Sequence, residues 1–181
     1  TCQSSAPLYV LSADKVSLTL APDTVNTFTD GKAYTAAFEK QPNACICSRD
    51  DLVINGTGTL NVQGNFNNGI GTKNDLRIAG GVITVSAVKN ALKGNDSVAI
   101  QNGAITLTAG KDAIKADNED KPDKGYVYIA GGDIRITAGD DAIQATQDVT
   151  ITGGALTVTA TGKAVNSKGS QDVASGVING K

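Results

Sequence analysis

Histidine, methionine and tryptophan are missing altogether from the 181 residues. Without histidine there is no imidazole base, no imidazole zinc ligand and no ordinary Cys–His triad. Carboxylate, lysine and oxygen-bound cation chemistry remain. No apolar run approaches the roughly 20 residues that a membrane-spanning helix needs, so no membrane span is expected. A basic block is missing too: sixteen basic residues face eighteen acidic ones, for a formal net charge of -2. A chain of that balance has no means of neutralising a phosphate backbone, which excludes nucleic acid as a partner. The chain begins at Thr1 with neither Met nor a charged-then-apolar leader. That start reads as a mature or trimmed secreted form, placing the protein outside the cell or on its surface.

Cysteine is scarce, with only Cys2, Cys45 and Cys47. An odd count permits at most one internal disulfide, and a bridge from Cys45 to Cys47 would be strained across a single residue. Cys2 paired with Cys45 or Cys47 is the better pairing; three buried or free thiols are the alternative. A lipid anchor on Cys2 is a third option, because it stands so close to the start.

What is present is a repeat. The strips "DLRIAGGVITVSAVKNALKGN", "SVAIQNGAITLTAGKDAIKAD", "YVYIAGGDIRITAGDDAIQAT" and "DVTITGGALTVTATGKAVNSK" align residue for residue. Ile78, Ile100, Ile129 and Ile151 follow at intervals of 22, 29 and 22, and Ile70, Leu92, Ile114, Ile143 and Val165 at 22, 22, 29 and 22. One seven-residue insertion, within Asp117 to Lys124, breaks an otherwise fixed period. Each unit holds three short runs of period-2 alternation rich in β-branched residues, and none holds a helical period. Strands must therefore pair with their counterparts one unit away, since no helical crossover is available. This predicts an all-β parallel β-helix of about six coils, three strands per coil, with Ile, Leu and Val ladders inside. A β-sandwich does not repeat residue for residue. A single domain is expected over 1–181: a first coil over 1–49, interrupted by an insertion at 31–49, regular coils over 50–168 and a partial terminal coil over 169–181.

Parity then assigns faces. Arg77, Ala99, Tyr128 and Thr150, with Tyr126, point outward on a first sheet; Thr84, Thr106, Arg135 and Thr157 on a second; Lys93, Lys115, Gln144 and Asn166 on a third. Tyr126 and Tyr128 are two of only seven aromatics, and an exposed ring with a polar tip suits the C–H face of a sugar. Alternatively, the insertion folds over them. Arg77, Lys115 and Arg135 are the cationic candidates for glycan contact. The corner before the third sheet reads Asn68, Asn90, Asp112, Asp141 and Lys163 in successive units, with Asp140 adjacent. Stacked carboxylates repel unless a cation joins them, and Ca²⁺ takes six to eight such oxygens. Asp112, Asp140 and Asp141 are thus candidate calcium ligands, with Asp117 and Asp96 as outer members. The plain alternative is that these side chains cap turns.

With the repeats aligned, "RDDLVINGTGTLNVQGNFNNGIGTKNDL", "KDAIKAD", "KGYVYIAGGDIRITAGDDAIQA" and "DVTITGG" resemble a bacterial carbohydrate-binding domain family. That family is known from clostridial cell-surface proteins and has a right-handed β-helix similar to pectate lyases. The likeness runs from about Val16 to Val165. It implies extracellular binding of polysaccharide, either cellulose or an acidic glycan such as pectin, with calcium held at the coil turns. It supports Asp112 and Asp141, which fall where the family carries Asp in an Asp-Gly-Ile turn. Ala113 and Ala142 replace that glycine, Asn90 and Lys163 replace the aspartate, and Asn68 stands where the family often has histidine, so fewer ions are implied.

Three functions follow as expectations. The first is a non-catalytic, calcium-binding polysaccharide-binding protein. The second is a lyase in which calcium acidifies the proton beside a uronate carboxylate and Lys115 or Arg135 removes it. The third is a subunit that assembles end to end into a homo-oligomer or filament through open β-helix ends.

Overall fold

The computed structural model describes residues 1–37, 40–174 and 178–180. Its strands form three parallel sheets of seven strands each, and successive strands of the chain visit the three sheets in turn. The molecule is a right-handed parallel β-helix with three strands per rung and seven rungs, one more than the repeat count suggested. Rung one is Leu8–Val10, Lys15–Leu20 and Val25–Thr29. Rung two is Ala44–Ser48, Asp51–Gly56 and Thr59–Gly64, and rung three Asn68–Thr72, Asp75–Ile78 and Val82–Ala87. Rung four is Leu92–Gly94, Ser97–Ile100 and Ala104–Ala109. Rung five is Ile114–Ala116, Tyr126–Ile129 and Asp133–Ala138. Rung six is Ile143–Ala145, Val149–Ile151 and Ala155–Ala160, and rung seven Val165–Ser167, Gln171–Val173 and Ile178–Gly180.

Pairing follows the sequence repeat in register, with Ile78, Ile100, Ile129 and Ile151 as Cα partners. Ile83, Ile105, Ile134 and Leu156 match likewise. These side chains are at most 1% exposed and merge into one core along the rod. The Gly-Gly corners between the first and second sheets have a conformational cause. Gly81, Gly132 and Gly154 all adopt φ near +100°, a region closed to most L-residues. At the same corner of rung one Asp23 also has a positive φ, 59°, as aspartate tolerates.

The expected insertion over 31–49 is shorter than its sequence suggested. Ala44–Ser48 is a regular third-sheet strand that pairs with Leu8–Val10 and Asn68–Thr72. Its small residues let both faces be buried. Tyr34, from the remaining insertion, stacks on Phe66 with ring centroids 4.2 Å apart. Its hydroxyl donates to the buried Asp30 carboxylate at 2.6 Å. Ala6, Ala44 and Cys47 pack beneath Tyr9 and Tyr34.

All three cysteines are free, so the disulfide expected from Cys2 to Cys45 or Cys47 is not formed. The reason is placement: Cys45 is packed into the core, Cys47 lies in the small cluster under Tyr34, and Cys2 bridges to Asp30 at the chain's first turn. Burial, and then the Asp30 carboxylate, push the Cys45 thiol up to about 12. Burial also raises Cys47, whereas hydrogen bonding from the Ser4 backbone lowers Cys2. Since the thiolate is the nucleophile, alkylation of the native protein at mildly alkaline pH is expected to modify Cys2 first. Cys45 and Cys47 should react only after unfolding, as mass spectrometry would show. Equal labelling of all three in the native state would contradict the burial. Both raised thiols favour the fold below about pH 9, and the contribution of Cys45 is lost as pH climbs toward 12.

Candidate functional site

The first sheet presents two outward columns that run along the rod. Register places Asp75 beside Ser97 and Ser97 beside Tyr126, and places Arg77, Ala99, Tyr128 and Thr150 in line. Small side chains at Ser97 and Ala99 in rung four, and Thr150 in rung six, leave low ground on either side of the two rings of rung five. Tyr126 and Tyr128 are each 37% exposed, a large fraction for such rings in this chain. Two shallow grooves of about 270 and 300 Å³ meet at this ridge. One is lined by Asp75, Arg77, Ser97, Ala99 and Gln101 with the tyrosines. The other is lined by Pro122, Asp123, Gln147, Asp148 and Thr150 with the same tyrosines.

The insertion is therefore a wall beside the rings rather than a cover over them. It is anchored by Asn118, which is buried and donates to Asp96 Oδ1 at 2.6 Å. Asn118 Oδ1 in turn accepts from the Asp120 and Lys121 amides at 2.9 and 3.1 Å, an Asx turn that fixes the loop's entry. Lys124 lies 3.7 Å from Asp96 Oδ2, and the Asp75 carboxylate, followed by Asp96, holds its ammonium above the usual lysine range. Glu119 pairs with Lys168 of rung seven at 2.7 Å, although both are largely exposed; such a contact adds little stability.

The corner before the third sheet carries a different device. Asn68 Oδ1 accepts from the Asn90 amide, Asn90 Oδ1 from the Asp112 amide, and Asp112 Oδ1 from the Asp141 amide, each at 3.2 Å. Asp141 Oδ1 ends the run by accepting from Lys163 N at 2.7 Å. From rung three to rung seven each rung thus caps the next, which is the turn-capping role open to Asn and Asp alike. The second oxygens are also engaged: Asp112 Oδ2 faces Lys115 Nζ at 2.7 Å, and Asp141 Oδ2 accepts from Asn166 Nδ2 at 2.5 Å. Asp112, Asp140 and Asp141 have oxygens within 4.8 Å of one another, the one such group of three among the described residues. Three carboxylates at that separation fit a hard cation if the partly exposed Lys115 swings aside.

Several expected residues are kept apart. Asp117 and Asp96 lie across the third-sheet strand from the acidic triplet. There Asp117 pairs with Lys93 at 2.7 Å and Asp96 with Asn118 and Lys124, so they are not outer members of one cluster. Lys115 is committed to Asp112. Arg135 lies on the second sheet, paired with Asp133 at 3.2 Å. Of the cationic candidates, Arg77 alone shares the tyrosine face. Asp75, Gln101, Asp123, Gln147 and Asp148 were missed. The repeat alignment already stacked Asp75 under Ser97, whereas the placement of Asp123 depends on how the insertion folds.

A family model described as "Carbohydrate-binding domain-containing protein" matches residues 1–181. A relative so described, from Acetivibrio thermocellus, is 54% identical over 91 residues, covering 48% of this chain and 31% of the relative. The match thus spans about a third of that relative's length. A solved structure of the polysaccharide lyase-like protein from C. thermocellum, a gadolinium derivative, superposes with a TM-score of 0.95 at 50% identity. It covers 99% of this chain and 73% of that one. With a family match along its whole length and a half-identical neighbour of the same fold, the chain belongs to the carbohydrate-binding domain-containing family, built on a polysaccharide lyase-like β-helix.

Proposed function

We propose that this chain is a non-catalytic, extracellular polysaccharide-binding domain that takes its glycan on the outer face of the first sheet. The observation that carries this is the pair of exposed rings, Tyr126 and Tyr128, with a groove on each side and the insertion as a wall. Aromatic faces pack on sugar C–H surfaces while the flanking Asp, Gln and Thr side chains supply hydrogen bonds. The non-catalytic reading is supported by the dispersal of the lyase parts. Lys115 is tied to Asp112 on the third sheet, and Arg135 to Asp133 on the second. Neither cation lines the tyrosine grooves.

Calcium belongs to the proposal at Asp112, Asp140 and Asp141. Three carboxylates brought together across two rungs are the donor set that a hard, oxygen-seeking cation takes. Bound there, the ion would supply charge neutralisation between rungs five and six.

Affinity electrophoresis through gels cast with cellulosic, pectic and other soluble polysaccharides tests the reading. Wild-type protein should be retarded by at least one of them, and the Tyr126→Ala, Tyr128→Ala double variant should lose about tenfold or more in affinity, on the order of 1–3 kcal/mol for two stacking rings. Retardation unchanged in the double variant would remove the tyrosine face from the site. Release of unsaturated product, seen by ultraviolet absorbance, would overturn the non-catalytic assignment.

A further inference from the structure

The two grooves share the same tyrosines but differ in charge. On the rung-three and rung-four side, Arg77 accompanies Asp75, and the field of Asp75 reaches Lys124 as well. On the rung-six side the charged lining residues are Asp123 and Asp148, and the lining includes no lysine or arginine. Neither acid forms a salt bridge among the described residues. Asp148 Oδ1 accepts from the amide and hydroxyl of Ser170 at 2.7 and 2.9 Å. Its other oxygen is left to accept from a ligand.

Resting on the tyrosine face as the glycan site, we infer that the groove imposes a charge order along the bound chain. The subsite beside Arg77 takes an acidic or a neutral sugar, whereas the subsite beside Asp123 and Asp148 takes a neutral sugar only. Carboxylates accept strongly from sugar hydroxyls, because hydrogen bonds to a charged acceptor are short and strong. A uronate carboxylate brought to the same place meets two exposed like charges, which disfavours binding and does so more at low salt. The low ground at Ala99 and that at Thr150 lie two rungs apart, about 10 Å at the spacing of paired strands. A chain along the rod would place one sugar at each end and a third across the tyrosine ridge. A uniformly acidic polymer would then satisfy only the Arg77 end, and a neutral polymer both.

The test compares soluble hydroxyethylcellulose with polygalacturonate by affinity electrophoresis in chelator, so that calcium cannot bridge protein and polymer, at low and physiological salt. The variants are the Asp123→Asn, Asp148→Asn double substitution and Arg77→Gln. Asparagine at 148 keeps the acceptor for Ser170, and a thermal melt confirms folding. Wild type should favour the neutral polymer. The double substitution should raise affinity for polygalacturonate about fivefold, more at low salt, and lower that for the neutral polymer severalfold as the charged acceptors are lost. Arg77→Gln should weaken polygalacturonate alone. An unchanged ratio of the two affinities in the double variant overturns the charge order even if both polymers bind. Loss of neither polymer on removing Tyr126 and Tyr128 would instead defeat the underlying site.

Discussion

Ile100→Ala is expected to destabilise the protein by about 3–4 kcal/mol, the range for a large-to-small change in a core that cannot collapse. The side chain has no exposure and stacks between Ile78 and Ile129 in exact register. Relaxation is denied because the strands above and below are fixed at the hydrogen-bonded spacing of about 4.8 Å, so the deleted atoms leave a void rather than an inward shift. The same change at the rod's end is expected to be mild. Val173 continues the Ile151 column but is half-buried in rung seven, and Val173→Ala should cost under about 1 kcal/mol. Chemical denaturation midpoints measure both. Equal losses would mean that rung seven is as well buried as rung four. A much smaller loss at Ile100 would mean that the coils repack, contrary to the rigidity argued here.

That contrast also shows why the fold was so legible. A parallel β-helix writes its register into the chain, because each core position must be matched by an apolar residue one coil away. The 22-residue interval between Ile78 and Ile100 therefore is the structure. Legibility failed where a rung departs from that alphabet. The strand Ala44–Ser48, "ACICS", sets one large residue, Ile46, among small ones and is buried on both faces; only the neighbouring Asn68–Thr72 shares that pattern, so period-2 alternation does not mark it as a strand and the repeat count falls one rung short. Parity likewise found Tyr126, Tyr128 and Arg77 on one face, since alternation along a strand is fixed by geometry. Parity also puts Arg135 on the second sheet and Lys115 on the third, where the structure has them, so their candidacy as glycan contacts beside the tyrosines ran against the faces already assigned. The groove's acidic wall was illegible for another reason: Pro122 and Asp123 reach it only through the path of the loop that Asn118 and Lys124 pin down. At the corners the Asn-Asn-Asp-Asp succession was legible as a stack. Both candidate roles, cap and cation ligand, draw on the same side-chain oxygens, and sequence alone does not rank them.

Substitutions at Asp112 separate those two roles. Asp112→Asn is expected to leave stability in chelator within about 1 kcal/mol of wild type, because asparagine already performs the capping at Asn68 and Asn90, and Oδ1 would still accept from the Asp141 amide. The lost partner for Lys115 matters little, since that ammonium is partly exposed and can turn to water. Asp112→Ala should cost about 2–3 kcal/mol, because a buried amide donor is stranded and the ladder is broken in its middle. The second comparison adds calcium. An ion bound by Asp112, Asp140 and Asp141 stabilises the fold by mass action, about 2.7 kcal/mol at a hundred times the dissociation constant. Wild type should therefore melt at higher temperature as calcium rises, and Asp112→Asn should not, having given up one of three charges at the site. Melting curves of the three proteins, each with chelator and with millimolar calcium, decide the matter. A calcium response that persists in Asp112→Asn would remove this corner as the ion's site. A cost for Asp112→Asn as large as that for alanine would show that its charge, and not the capping oxygen, holds the corner together.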